Sequence, residues 1–596
     1  MLKKMLLCCL LITFVASGDM LNDGYWQENT SGFRRMTDGC REGMNTGKQP
    51  VIFSRKLSNL VSGESYELSF CIRGNDLRAV SVGVAADEKG KKSFARQQLP
   101  LDSKEYLPVR RIFTAQKENW LVIRIAPGTE KFFISKLEVS PVKKPHADLR
   151  LCVFSDVQPL RNGELKRKGS QLWYADQVYK RAKLLGVDAY LIAGDIGNLS
   201  DEVTYQEFRA LFDSHHGKDQ QPPVWLPVMG NHDFWKDKHG RNSFPVAESI
   251  EKFKKYLKID SVNPHIVLNG YDIIGFSIEG GMYTSGRLVA QVEKEIRKAV
   301  ARDPQKPIFL FAHNHAYGTV RDSNENRNLA DMLKKYPQVI YFSGHTHRAV
   351  EDEKSIHQED FTSIGTGALT YTAPVADRRS VEYPNRSHYG NMLYLEVRKD
   401  EIIIRRFQLN DGREIMDNGK PWRLQLPLRK ETFSYVLSKR LAENKPPVFP
   451  AGATLAARAV FNQKGEFTGV KLQGTAARHS NIIRLYSVKI SKKNTDGSWS
   501  PVSAVANRGK GREQNIEKYP LTFVSDFYLP LESQKNTFST FIRRYPLPLY
   551  MGCDFQPGMT YRFEVRAIDS LDQESQSVLC TDLAIPDKKG DNTGRK

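Results

Sequence analysis

The sequence predicts a multidomain chain in which a central α/β domain stands between two all-β sandwich domains. Three observations predict it. Between residues 148 and 410, apolar strand-like runs alternate with helical patterns, and five of those runs end in Asp, Asn or His. Before and after this region, apolar residues recur every second position, the period of a half-buried strand. Pro-rich breaks at Pro141-Val142-Lys143-Lys144-Pro145 and at Asn444-Lys445-Pro446-Pro447-Val448-Phe449-Pro450 separate the three patterns. A length of 596 residues agrees, because single cores rarely grow past ~250–300 residues. The expected segments are 1–18, 19–143, 148–410, a connector 411–448, 449–586 and a tail 587–596.

The first 18 residues read as a signal peptide. Lys3 and Lys4 precede an apolar run from Met5 to Ala16, and Ala16, Ser17 and Gly18 supply small residues for cleavage. The run is short for a membrane-spanning helix, and no other long apolar stretch follows, so no transmembrane segment is expected after cleavage. The expected location is secreted or periplasmic. Export would permit disulfides within the pairs Cys40/Cys71 and Cys553/Cys580, whereas Cys152 falls in an apolar strand and reads as a buried thiol. No CxxC pair is present, which argues against a structural zinc site. The formal charge of +20 arises from Lys and Arg spread along the chain rather than from a basic arm, and no specific nucleic-acid binding is expected.

Residues 19–143 alternate at Tyr66, Leu68 and Phe70, at Val80, Val82 and Val84, and at Phe133, Leu137 and Val139. This pattern, with the early Gly-Tyr-Trp and the late Phe-Phe-Ile-Ser-Lys-Leu-Glu-Val, is loosely similar to jelly-roll carbohydrate-binding modules. The resemblance implies carbohydrate contact through this domain. Tyr25, Trp26 and Trp120 are read as core aromatics, with stacking on sugar rings as the alternative.

In the central region, helices are expected at 170–185, 201–214, 247–258, 286–301 and 325–335. Strand-like runs lead into Asp156-Val157-Gln158, Gly194-Asp195-Ile196-Gly197-Asn198, Gly230-Asn231-His232-Asp233, His313-Asn314-His315 and Gly344-His345-Thr346-His347. Further strands are expected near 272–277, 361–364, 391–397 and 401–408, and a short helix at 431–443. Ligands of open α/β sheets bind at the carboxyl ends of strands. Imidazoles and carboxylates gathered there suit divalent metals such as Zn, Fe and Mn. Within the third cluster, Asp233 is expected to hold the His232 imidazole.

The order of these five clusters resembles the calcineurin-like metallophosphoesterase family. The resemblance implies two mixed β-sheets flanked by helices, and two divalent metal ions (Mn, Fe, Zn or similar) that share one bridging carboxylate. Carried over to this sequence, Asp195 is the bridge, Asp156 and His347 serve the first metal, and Asn231, His313 and His345 serve the second. Gln158 occupies the place where the family usually has His, and reads equally as a weaker ligand or as a hydrogen-bonding neighbour. His232 is the implied catalytic residue, touching phosphate and acting as a general acid or stabiliser of charge. The implied activity is hydrolysis of a phosphoric mono- or diester by a metal-bound hydroxide. The alternative is a non-catalytic glycan-binding or scaffold protein with a degenerate domain.

Met229, before the Gly-Asn-His-Asp cluster, replaces the Arg of the protein phosphatase branch, which argues against a phosphoprotein substrate. The expected substrate is a phosphorylated small molecule, a nucleotide or a phospho-glycan. Phe234, Trp235, His239, Tyr317 and Tyr371 follow the motif strands and read equally as an aromatic rim for a nucleoside or sugar or as loop packing. His315 could line the pocket, and so could His388, which precedes a core strand. His215, His216, His239 and His265 read as surface residues. Residues 449–586 alternate at Tyr486, Val488 and Ile490 and at Tyr561, Phe563 and Val565, and the stretch 558–570 resembles the late strand of fibronectin type III modules. The polar tail 587–596 is expected to be disordered.

Overall fold

A computed structural model describes residues 33–35, 40–75, 77, 80–91, 93–96, 103–159, 170–237, 242–279, 284–370, 372, 389–415, 420–502, 504–507, 513–516, 520–529, 535–544 and 551–586. The expectations for the signal peptide, Tyr25, Trp26, His239, Tyr371, His388 and the tail lie outside these residues. The described residues fall into two compact units, one within 1–350, 356–370 and 388–436, the other within 351–355, 371–387 and 437–596.

In the first unit, residues before Pro141 form a five-stranded and a four-stranded sheet that share one apolar core. Tyr66, Leu68 and Phe70 face that core, as do Val80, Val82 and Val84. Phe133 does not. Lys136 adopts a left-handed φ of 52°, and the pairing with Ser65–Gly74 shifts register between Ser69 and Cys71. This irregularity changes the strand's parity, so Phe132 and Ile134 point inward before it and Leu137 and Val139 after it. Trp120 is likewise half-buried outside the core, with the Lys56 amine 6.0 Å from its ring. Cys71, Cys152, Cys553 and Cys580 are free thiols. Cys40 directly precedes Arg41–Asn45 and Cys71 sits on Ser65–Gly74; these strands flank the same third strand, two strand spacings apart, which is too far for a disulfide. Cys152 is fully buried, and burial pushes its thiol well up from the usual range.

The strand Ser103–Thr114 of this sheet pair is buried on both faces near its end. Val109 and Phe113 enter its own core, whereas Ile112 joins the core of the central region with Phe407 and Leu409. Beside it, Arg111 donates to the Asp411 carbonyl, and Arg181 donates to the Gly412 carbonyl at 3.1 Å.

The central region is built from two sheets. One carries the parallel strands Leu149–Phe154, Ala189–Ala193 and Val224–Val228, with Asn391–Val397 and Glu401–Gln408 running antiparallel beyond them. The other carries Tyr271–Gly275, Ile308–Ala312, Val339–Ser343 and Thr362–Gly365, all parallel, with antiparallel edges at His265–Leu268 and Ile356–Gln358. Successive side chains alternate between two cores. Leu151, Val153, Leu191, Phe309, Phe311, Ile340 and Phe342 fill one core shared by both sheets. Cys152, Phe154, Tyr190 and Ile192 face Gln171–Leu185, Glu202–His216 and Val246–Leu257, while Leu310 and Tyr341 face Gly286–Arg302 and Arg327–Leu333. Burial on both faces explains why these strands read as continuous apolar runs. Ser170, Asp201 and Ser285 accept backbone N–H groups at three helix starts, which ends each preceding loop sharply. Among the described residues, no helix is long and apolar enough to cross a membrane.

The second unit contains a six-stranded and a five-stranded sheet over one core that includes Tyr486, Val488, Ile490, Tyr561, Phe563 and Val565. The Pro-rich segment before it is anchored: Asn444 donates 3.0 Å to Gln573, and the buried His479 lies 2.8 Å from the Lys445 carbonyl. The expected short helix at 431–443 is two pieces, a turn of 3₁₀ helix at Lys430–Thr432 and an α-helix at Leu437–Glu443.

Leu191 is fully buried where the two central sheets meet. Leu191→Ala should therefore lower unfolding stability by about 2–5 kcal/mol, measured as a reduced urea midpoint at unchanged slope.

Candidate metal centre

Five of the parallel strands, Leu149–Phe154, Ala189–Ala193, Val224–Val228, Ile308–Ala312 and Val339–Ser343, end along one edge and hand polar residues to it. Backbone geometry there is unusual. Asp156 (φ 55°), Gln158 (40°), Asp195 (53°), His345 (66°) and His347 (53°) all occupy the left-handed region, which side chains other than Gly seldom adopt. Hydrogen bonds between the loops hold this strain. Val157 N donates to Asp195 O at 2.9 Å, Thr370 N to Asp156 O at 3.0 Å, and Gly344 N to His313 O at 2.9 Å.

The side chains converge as a result. Asp195 is 1% exposed; its Oδ2 lies 2.6 Å from Gln158 Nε2 and 3.2 Å from His313 Nε2, and its Oδ1 accepts the His232 backbone N–H at 2.9 Å. On one side, Asp156 Oδ1 lies 2.9 Å from His347 Nε2, and ligand atoms of Asp156, Asp195 and His347 fall within 4.8 Å of one another. On the other, Asn231 Oδ1 lies 3.0 Å from both His313 Nε2 and His345 Nδ1, which are 3.2 Å apart. All seven expected ligand residues thus meet in one place. Gln158 turns its amide nitrogen to Asp195, while its buried Oε1 has no hydrogen-bond partner.

Backbone carbonyls choose the imidazole tautomers. His313 Nδ1 lies 3.0 Å from Ala193 O, His347 Nδ1 2.9 Å from Thr370 O and His232 Nδ1 2.9 Å from Asn198 O. Each Nδ1 must carry the hydrogen it donates, which leaves Nε2 directed inward. His232 Nε2 stands 4.0 Å from Asp195 Oδ2, and the Trp235 ring packs against the imidazole with centroids 3.7 Å apart. Burial would disfavour charge on these groups, yet the ion pairs prevail. Asp195 stays below the ordinary carboxylate range beside His313, and the Asp195 and Asp156 carboxylates carry buried His313 up to about 9.

The glycines of the motifs have a steric reason. A Cβ at Gly194 would come within 2.6 Å of the His313 Cβ, and one at Gly344 within 2.5 Å of Asp156 Oδ2. A Cβ at Gly230 would fall 2.6 Å from Asp195 N and 2.7 Å from the His313 ring. Only a residue without a side chain lets these donors approach each other.

Several expectations need correction. Asp233 does not hold the His232 imidazole. It turns away, fully buried, and accepts Gly230 N at 2.9 Å, Gly197 N at 3.0 Å and the Tyr205 hydroxyl at 3.1 Å. Burial and the Asp195 charge raise its carboxyl to about 7. The imidazole is held by the Asn198 carbonyl instead, a main-chain group that no side-chain motif could reveal. Phe234 belongs to the core and not to a rim, whereas Tyr317 is 39% exposed with the Arg327 guanidinium 3.8 Å over its ring. His216 is not a surface residue: it is buried between the Tyr190 hydroxyl and Asp219, both at 2.8 Å. His215 and His265 lie away from the centre, paired with Asp176 and with Asp272 and Glu295. His315 is 1% exposed, its ring 5.9 Å from that of His345 and neither nitrogen hydrogen-bonded.

Gly230→Ala should push Asp195 and His313 apart. A displacement near 1 Å in such a constellation costs about 10²-fold in rate. The expected outcome is a loss of that order in turnover of an aryl phosphate, with the far-ultraviolet circular dichroism of the native chain retained.

Residues 149–349 match the family Metallophos, described as calcineurin-like phosphoesterase. The chain is similar to a dimetal phosphatase from Danio rerio (10% identity, 48% of this chain and 100% of that one, TM-score 0.34). It is also similar to a purple acid phosphatase from yellow lupin, Lupinus luteus (11% identity, 65% and 74% covered, TM-score 0.34). A third similarity is to a CBM4 structure (17% identity, 21% and 95% covered, TM-score 0.17). No curated protein matches the sequence. Residues 149–349 are a calcineurin-like phosphoesterase domain, the module of a hydrolase that acts on phosphoric esters.

Proposed function

We propose that this chain is an exported hydrolase of phosphoric mono- or diesters that uses two divalent cations. The observation that carries the reading is the convergence of two carboxylates, three imidazoles and an Asn amide, each with a ligand atom 2.9–3.2 Å from that of another and with ring nitrogens turned inward. That donor set suits Zn, Fe or Mn. Asp156, His347 and Asp195 would hold one cation, with Gln158 Oε1 available beside them. Asn231, His313, His345 and Asp195 would hold the other. Cations bound there supply positive charge against the phosphoryl oxygens and acidify water near neutral pH.

The chain's own residues do the rest. Asp195 lies between the two donor groups and is fixed by Gln158 and by the His232 backbone. His232 keeps its Nδ1 hydrogen on Asn198 O, so a proton for transfer would be carried on Nε2, on the side of the cluster. From there it can pass to the leaving oxygen as the phosphorus–oxygen bond breaks, a contribution of ~10²–10⁴-fold. Trp235 prevents the ring from turning away. The flanking regions are read as a jelly-roll module able to contact carbohydrate and a fibronectin type III-like module. With the signal-like start, they support a secreted or periplasmic enzyme acting on a phosphorylated small molecule, nucleotide or phospho-glycan.

Hydrolysis of an aryl phosphate monoester and diester, with and without chelator, tests the reading. Turnover should vanish on chelation and return with Mn, Fe, Zn, Co or Ni; no turnover with any of them would refute it. Cations at a hundred times their dissociation constant should also stabilise the fold by about 2.7 kcal/mol, seen as a raised melting temperature.

Asp195→Asn and His232→Ala should fail differently. Asp195→Asn removes charge from between the two donor groups, so metal content and turnover should fall together. His232→Ala should retain metal and lose turnover, most strongly for esters with poor leaving groups. Equal losses for good and poor leaving groups would rule out the general-acid role.

A further inference from the structure

His345 differs from the other imidazoles of the centre in what lies behind it. The outer nitrogens of His232, His313 and His347 meet backbone carbonyls, whereas His345 Nε2 faces Glu325 Oε2 at 3.5 Å. Glu325 is 14% exposed, and the same oxygen accepts Asn314 Nδ2 at 3.2 Å. The loop that carries it is held at several points. Asn326 accepts Thr284 N at 2.6 Å and donates to His315 O at 3.1 Å, and Asp322 pairs with Arg348 at 2.6 Å, one residue beyond His347.

We infer that Glu325 is a positioning residue that sets the tautomer and donor strength of His345. The inference rests on the two-cation reading above. His345 Nδ1 lies among the donor atoms, 3.0 Å from Asn231 Oδ1 and 3.2 Å from His313 Nε2. Under the two-cation reading it would present its lone pair there, which places the ring hydrogen on Nε2. A hydrogen at Nε2 needs an acceptor, and Glu325 supplies a charged one. A carboxylate behind an imidazole makes the other nitrogen a stronger donor than a carbonyl does. The need is local. One donor of this group is the neutral Asn231 amide, where the opposite group has the Asp156 carboxylate. Glu325 therefore places negative charge behind the weaker half of the centre without entering it.

The test uses the full chain with Glu325→Gln, Glu325→Ala and Asp322→Asn. Each is loaded with Zn or Mn and dialysed against graded chelator, and metal per chain is measured. Asp322→Asn loosens the same loop at its other anchor and suits the left-handed φ of 61° there. In Glu325→Gln, one equivalent should leave at a 10–100-fold higher free-metal concentration than in the unaltered chain, the other equivalent being unchanged. Glu325→Ala should be at least as weak and carries the test if the Gln variant does not fold, while Asp322→Asn should follow the unaltered chain. Identical release from Glu325→Gln and the unaltered chain would overturn the inference. So would loss of both equivalents together, or an equal effect of Asp322→Asn, which would assign the effect to loop anchoring. An unaltered chain that takes up no metal would instead overturn the two-cation reading, and this inference with it.

Discussion

Burial of the Asp195 carboxylate is the constraint on which the rest of the centre depends. An ionised carboxylate at 1% exposure is costly unless opposite charge and hydrogen bonds surround it. Here the surroundings are the Gln158 amide, the His232 backbone N–H and the His313 imidazole, from three different strand ends. Meeting that requirement draws the three loops together. The same requirement makes the place attractive to cations, since imidazoles and carboxylates that neutralise each other at close range can also share a metal.

The architecture accommodates this by combining rigid sheets with strained ends. Three cores, one between the sheets and one under the helices on each outer face, fix the strands along their length. Left-handed residues then turn each chain abruptly at the edge, and Gly194, Gly230 and Gly344 remove the Cβ atoms that would keep the donors apart. Strain of this kind persists only where surrounding structure over-determines it. The buried strands and the cross-loop hydrogen bonds provide that, so the donors are arranged before any ligand arrives.

Asymmetry within the centre follows from its chemistry. One donor group has its own carboxylate, Asp156; the other has the neutral Asn231. Glu325 behind His345 compensates on the weaker side from a loop that is tied to the neighbouring Arg348. Outside the centre, a charged row at Arg111, Arg181 and Asp411 and the apolar Ile112 join the first all-β region to the central one, so the first unit behaves as one body around the edge where the site lies.

The sequence by itself determined the elements and the chemistry of the edge. The five helices are legible because apolar residues recur at helical spacing, and the strands because burial on both faces leaves continuous apolar runs. The residues that converge at the edge are legible because each follows the end of such a run. Parity in the strand holding Phe133 was not, because one left-handed residue, Lys136, shifts the register without any Gly to announce it. Only the tertiary structure decided what holds each imidazole. The acceptors are carbonyls of Ala193, Asn198 and Thr370, which any residue type offers, and the Glu325 carboxylate of a distant loop. Asp233, adjacent to His232 in sequence, is turned away because three loop N–H and hydroxyl groups need it more. Neighbourhood along the chain specifies which groups reach the edge; their orientation depends on backbone atoms that carry no signature in the sequence.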